Sequence, residues 1–123
     1  MNAYLLVGLG GAAGSMARYG VSRLLPFAGF PVATLTVNIV GSFLMGLLAA
    51  SLSGALAGWS EEARLLLGVG LLGGFTTFSA FSLDFVNLMQ RGDWMLGLIY
   101  IALSVVLSIA ALVFGFWIAR GVF

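Results

Sequence analysis

No cysteine, no histidine and no lysine occur anywhere in the 123 residues. Without Cys there is no disulfide framework, no thiolate nucleophile and no thiolate metal site, and the redox compartment is not readable. Without His the usual general base and the commonest metal ligand are both missing, which argues against enzymatic chemistry. Charge is equally scarce: five arginines and four acids make up 7% of the chain, against about 25% in a soluble domain. So few charges cannot cover a water-facing surface. Nor does any basic stretch mark nucleic acid or a polybasic anchor as a partner.

What is present is apolar. Hydrophobic residues make up 62% of the chain and the mean hydropathy is +1.17, so the bilayer is the solvent. A transmembrane helix takes about 20 apolar residues, which leaves room for about four or five spans and little extramembrane domain. Eighteen glycines and ten phenylalanines then need an explanation.

Four apolar runs divide the chain into one all-α membrane domain, with helices over about 3–25, 32–57, 62–90 and 95–120. The first is too long, and too little basic at its start, for a signal peptide. Pro26, Gly29 and Pro31 separate it from the second, and Gln90 to Trp94 form a polar turn before the fourth. Ser60, with Glu61 and Glu62 behind it, reads as an N-cap with acids in the first turn. Arg64 and Arg120 fall on the side of the N-terminus, Arg23 and Arg91 on the other, with Arg18 a turn or two inside it. Orientation follows Lys/Arg asymmetry between loops, and here the balance is nearly even. Either the chain inserts both ways, so that inverted copies pair, or the count is too small to decide.

The helix faces carry more. In the second run Thr34, Asn38, Ser42, Gly46, Ala50, Gly54 and Gly58 recur every fourth position, the small-residue stripe by which helices pack closely in lipid. Asn38 stands apart, because an amide inside the membrane either bonds across helices or lines a wet path. In the first run Gly8, Gly10 and Ala13 fit a dinucleotide fingerprint in form only, since no strand precedes them; close packing is the better reading. Arg18 either snorkels to the headgroups or caps carbonyls and attracts anions.

The third run is the most informative. Gly73-Gly74-Phe75-Thr76-Thr77-Phe78-Ser79-Ala80-Phe81 puts a double glycine and hydroxyl residues at its centre, predicting a helix broken at mid-membrane. Irregular backbone at that depth needs protein or a water-filled cavity around it; freed carbonyls can bind a small cation, or Thr hydroxyls can heal a kink. Phe78, Phe81 and Phe85 share a face beyond the break, as filler or as wall. In the fourth run Tyr100, Ser104 and Ser108 repeat every fourth residue, either as a wet hydroxyl track or bonded back to i−4 carbonyls. Hydroxyls, an amide and positive ring edges, without Lys or His, suit a small hydrated anion better than a cation. Proton coupling ordinarily needs an embedded acid or base, and the sole candidate, Asp84, falls near a membrane end, so passive conduction is favoured over pumping.

These residues resemble the Fluc (CrcB) fluoride channel family over all four runs. The specific match is GGFTTFSAF at Gly73 to Phe81, with Ala80 where the family usually has Thr; GGAAGSMARY ending in Arg18 and Tyr19, TLTVNIVGSF around Asn38, and the Tyr100, Ser104, Ser108 spacing support it. The resemblance implies an antiparallel dual-topology homodimer in a bacterial inner membrane, with two fluoride pathways and passive export of fluoride that enters cells as HF. It implies a structural sodium ion on the backbone carbonyls of Gly73 and Thr76. It maps pore roles onto Phe78 and Phe81, Asn38, Thr77 and Ser79, Tyr100, Ser104, Ser108, and Arg18 near a vestibule. Two competing readings are a small dual-topology multidrug exporter, which depends on an acid in the first helix that this chain lacks, and a non-transporting assembly subunit.

Overall fold

The computed structural model describes residues 2–54 and 57–122, all helical apart from short turns and one break. Helix α1 (Ala3–Leu24) opens on Asn2, whose side chain accepts the Tyr4 N–H at 2.7 Å. It stops before Pro26, because proline disfavours helical geometry in the residue ahead of it. Helix α2 spans Val32–Leu52, five residues short of the expected end. Ser51 and Ser53 turn their hydroxyls onto the carbonyls of Leu47 and Ala50, and the Gly54 N–H follows onto Ser51, so the last turn closes on itself. Ala55 and Leu56, inside the expected helix, lie outside the described residues.

The third rod begins after one 3₁₀ turn (Ala57–Trp59), with Trp59 rather than Ser60 at the cap position and Ser60 already helical, two residues ahead of the expected range. Its first half, α3 (residues 60–75), is unusual. An α-turn, Ser60–Ala63, leads into a π-helix, Arg64–Leu72, and one further α-turn, Gly73–Phe75. Thr76 and Thr77 then run extended, with φ/ψ of −84°/159° and −153°/125°. The second half, α4 (Phe78–Gln90), restarts under Thr77, whose Oγ1 accepts the Ala80 N–H at 3.1 Å. The expected break is therefore present at Thr76–Thr77. Helix α5 (Trp94–Val122) completes the chain.

Three segments, Val32–Leu52, Ala57–Gln90 and Trp94–Gly121, are long and apolar enough to cross a membrane. The 22 residues of α1 are long enough but less apolar, diluted by five glycines, two serines, Arg18 and Arg23. Apolar side chains point outward on every rod, among them Leu9, Val106, Ile109, Phe114 and Trp117, the inverse of a water-soluble surface.

Glycines set the packing. A methyl on Gly10 or Gly14 would strike the backbone of Leu66 or Leu71, so α1 lies directly on α3; Gly74 meets Gly11 from the other side. Likewise Gly46 of α2 abuts the backbone of Leu112 and Phe116, and Gly115 of α5 abuts Phe43. The expected stripe on α2 thus packs at Gly46, whereas Gly58 has open space around it. Backbone cannot shift like a side chain, so Gly46→Ala should destabilise the fold by about 1–3 kcal/mol, the usual cost of overpacking. Gly8, with nothing near its missing Cβ, should tolerate Ala. Melting curves in detergent check the pair: equal melting of Gly46→Ala and wild type would refute the contact.

Candidate functional site

The break is held from two sides. From α2, the Asn38 amide pairs with both backbone groups of Thr77: Nδ2 donates to the Thr77 carbonyl at 3.0 Å and the Thr77 N–H donates to Oδ1 at 2.8 Å. That pairing fixes the amide's orientation, since only this flip matches both groups. From α1, Arg18 Nε donates to the Gly74 carbonyl at 3.1 Å. Arg18 therefore caps a carbonyl of the broken helix rather than snorkelling outward. Within the rod, Thr76 bonds Leu72 with both its N–H and its hydroxyl, at 3.0 and 2.9 Å. Because Asn38 holds the Thr77 N–H, the helix cannot continue through it, and the carbonyls of Gly73 and Thr76 accept no hydrogen bond among the described residues.

Gly41 makes the arrangement possible, because a Cβ there would collide with the Thr76 methyl. The sequence reading passed over it. Its signal was its place one turn beyond Asn38, where the extended strand must come close.

Beside the break lies an open groove of about 380 Å³ between α2, α4 and α5. One wall is Asn38, Ser42, Thr76 and Thr77; another is the rings of Phe78 and Phe81, 5.4 Å apart and inclined at 60°; the third is Ser104 and Ser108. The hydroxyls of these two serines are buried and have no hydrogen-bond partner among the described residues. Ser51 and Ser82, by contrast, bond back to Leu47 and Phe78, at 2.7 and 3.0 Å. Back-bonding is thus excluded for Ser104 and Ser108, two residues that line the groove with their hydroxyls buried. No ionised side chain lines it, and Met45, Leu72, Val105, Ile109 and Leu112 make the rest of its wall apolar, so what it offers a ligand is a few hydroxyls, an amide and ring edges in a low dielectric that strengthens them.

Other expected site residues lie elsewhere. Tyr100 is fully buried behind the groove, its ring 5.1 Å from Phe81 and its hydroxyl donating to Asp84 Oδ2 at 3.1 Å. The hydroxyl track is therefore split, two serines on the groove and the tyrosine behind it. Phe85 packs against Gly97 and is absent from the groove wall. Ser79 is exposed, with its hydroxyl 3.3 Å from that of Thr77. Arg18 opens into a second, smaller cleft of about 140 Å³ with Tyr19, Ser22 and Thr34. Thr77 lines both clefts.

Carbonyl oxygens are hard donors that suit small hard cations. The two unengaged carbonyls at Gly73 and Thr76, beside Gly74 and Thr77 carbonyls already taken by Arg18 and Asn38, fit a sodium ion by donor chemistry. Among the described residues no cluster of acids offers a rival cation site.

Comparison with known proteins shows which family the sequence matches. Residues 5–116 match the family described as CrcB-like protein, Camphor Resistance (CrcB). The protein named Fluoride-specific ion channel FluC from Hyphomonas neptunium is 49% identical over 100% of this chain and 99% of its own. Its namesake from Paracoccus denitrificans is 53% identical over 98% of this chain and 96% of its own, and that from Caulobacter vibrioides 50% identical over 100% and 99%. With the family model and these relatives matching over nearly the whole length, the chain belongs to the CrcB family.

Proposed function

We propose that this protein is a fluoride-specific ion channel, not an enzyme, working as an antiparallel homodimer whose four helices per chain cross a bacterial inner membrane. The observation that carries the reading is the pair of unpartnered, buried hydroxyls of Ser104 and Ser108, on residues that line the same groove as Phe78 and Phe81. A dehydrated anion needs donors that carry no prior bond, and positive ring edges that do not bind it too tightly to leave. Fluoride is small enough to be met by both at once; chloride is larger and more weakly hydrogen-bonded. Membrane potential then drives fluoride outward without any coupled proton. Asp84, the one acid within the apolar runs, already accepts from Tyr100, which speaks against an exporter run by protonation.

Fluoride efflux from liposomes, followed with an electrode beside a chloride control, tests the reading. Fluoride-selective efflux supports it; a tight membrane refutes it in favour of an assembly subunit. Ser104→Ala combined with Ser108→Ala should cut fluoride flux roughly tenfold or more, since a hydrogen bond to a charged group is worth about 1.5–3 kcal/mol. Unchanged flux in that variant would remove the serines from the pathway.

A sodium ion at the dimer centre, held by the Gly73 and Thr76 carbonyls of both chains, would supply a fixed positive charge between the two pathways. Arg18 and Asn38 already engage the neighbouring carbonyls of Gly74 and Thr77, which leaves the Gly73 and Thr76 pair for the ion. Replacing sodium throughout with a bulky organic cation should lower flux or dissociate the dimer, read by efflux and by light scattering. Indifference of both would discard the cation.

A further inference from the structure

The wall of the groove at Phe81 is backed by a line of rings that begins in a loop. Phe30, just ahead of α2, meets Tyr100 edge-on, with centroids 5.5 Å apart and planes at 81°. Tyr100 leans on Phe81 at 5.1 Å, and Phe81 on Phe78 at 5.4 Å. Four rings therefore run without a gap from the loop to the groove. Tyr100 is fully buried and its hydroxyl is fixed on Asp84, so a displacement of its ring is felt at Phe81, on which it leans.

The loop end is fastened by Arg91. From the turn between α4 and α5 its Nη2 donates to the Gly29 carbonyl at 2.8 Å and pairs with Asp93 Oδ2 at 2.8 Å, while the guanidinium lies 5.2 Å from the centre of the Phe27 ring. Gly29 (φ 98°) and Gly92 (φ 85°) supply backbone shapes that only glycine adopts readily, and they let the two turns face each other. Each contact is exposed and adds little to stability by itself. Two of the three, to Gly29 and Phe27, bear on the loop that carries Phe30, and Gly29 directly precedes it, while the pair with Asp93 steadies Arg91 within its own turn.

We infer that Phe30 and Arg91 are positioning residues for the fluoride pathway: Arg91 holds the loop so that Phe30 presses on Tyr100, and Tyr100 sets the angle at which Phe81 presents its edge to the groove. Angle matters because a ring is positive at its edge and negative on its face; a turned ring repels the anion it should attract. This inference rests on the channel reading above.

The test is fluoride and chloride efflux from liposomes carrying purified variants. Phe30→Leu should lower fluoride flux roughly two- to tenfold, the worth of one edge-to-face ring pair, and should lower the fluoride-to-chloride ratio with it. Phe30→Tyr, which restores the ring, should recover both, a rescue that mere loop packing does not demand of selectivity. Arg91→Lys keeps the loop's charge but loses the fork and the planar stack, so it should act in the same direction. Because both residues work through one contact, the double variant should be no worse than Phe30→Leu alone. Wild-type rate and ratio in Phe30→Leu, or in Arg91→Lys should the first not fold, overturn the inference, as does an additive double variant. Lack of flux from the wild-type protein overturns the channel reading instead.

Discussion

Phe81→Ile should abolish fluoride efflux while leaving a folded protein. Among the described residues Phe81 is the one ring that both lines the groove and touches two other rings, Phe78 and Tyr100. Isoleucine keeps much of the apolar volume, and a hydrophobic swap of that kind usually costs less than about 1.5 kcal/mol. What it removes is the quadrupole: the positive edge that meets the anion and the edge contact that orients Phe78. An anion stripped of water then faces methyl groups, and the loss of even part of its compensation costs far more than the fold does. The electrode assay reads the flux and a melting curve reads the fold. Wild-type efflux from Phe81→Ile would take the ring out of the pathway, and a melting temperature far below wild type would mean that it is core instead.

How much of this the sequence disclosed depends on whether a feature is local. The break was legible because its causes lie side by side: Gly73 and Gly74 weaken the helix, and Thr76 and Thr77 can bond their own backbone or cap the next turn. The position of the four rods was legible from apolar runs and the Pro and Gly between them. The end of α2 was not, because Ser51 and Ser53 look like ordinary members of a membrane helix until their hydroxyls close the last turn.

The π-helix at Arg64–Leu72 had no signature either. α and π winding use the same residues, and the choice falls to the neighbour: α1 lies so close through Gly10, Gly14 and Gly70 that backbone contacts backbone. Spacing also over-read the fourth run. Tyr100, Ser104 and Ser108 share a face, yet the longer tyrosine reaches past the groove to Asp84 while the serines stop at it. Arg18 and Asn38 were each left with two readings by sequence, since only a partner on another helix could decide. That partner is the same for both, the loosened backbone of the break, at Gly74 and Thr77.

Asn38 therefore carries the largest structural consequence after the pore ring. Asn38→Leu leaves the Thr77 N–H and carbonyl without their partners, at about 1–3 kcal/mol for each orphaned group. The rod can recover part of this by winding Thr77 back into a helix, with its N–H returning to the Gly73 carbonyl. Such healing would close the break, consume one of the two carbonyls assigned to sodium and swing Phe78 and Phe81 away from the groove. Fluoride flux should fall at least roughly a hundredfold, the combined worth of two such bonds at about 1.4 kcal/mol per factor of ten. Asn38→Asp keeps an acceptor for the Thr77 N–H but sets an anionic oxygen against the Thr77 carbonyl and the passing ion; it should fold better than Asn38→Leu and conduct no more. Hydrogen exchange at the Thr77 amide distinguishes a healed helix, where protection persists, from an open one, where it is lost. Full flux and unchanged melting in Asn38→Leu would mean that the break stands without its clamp, and that Arg18 alone suffices to hold it.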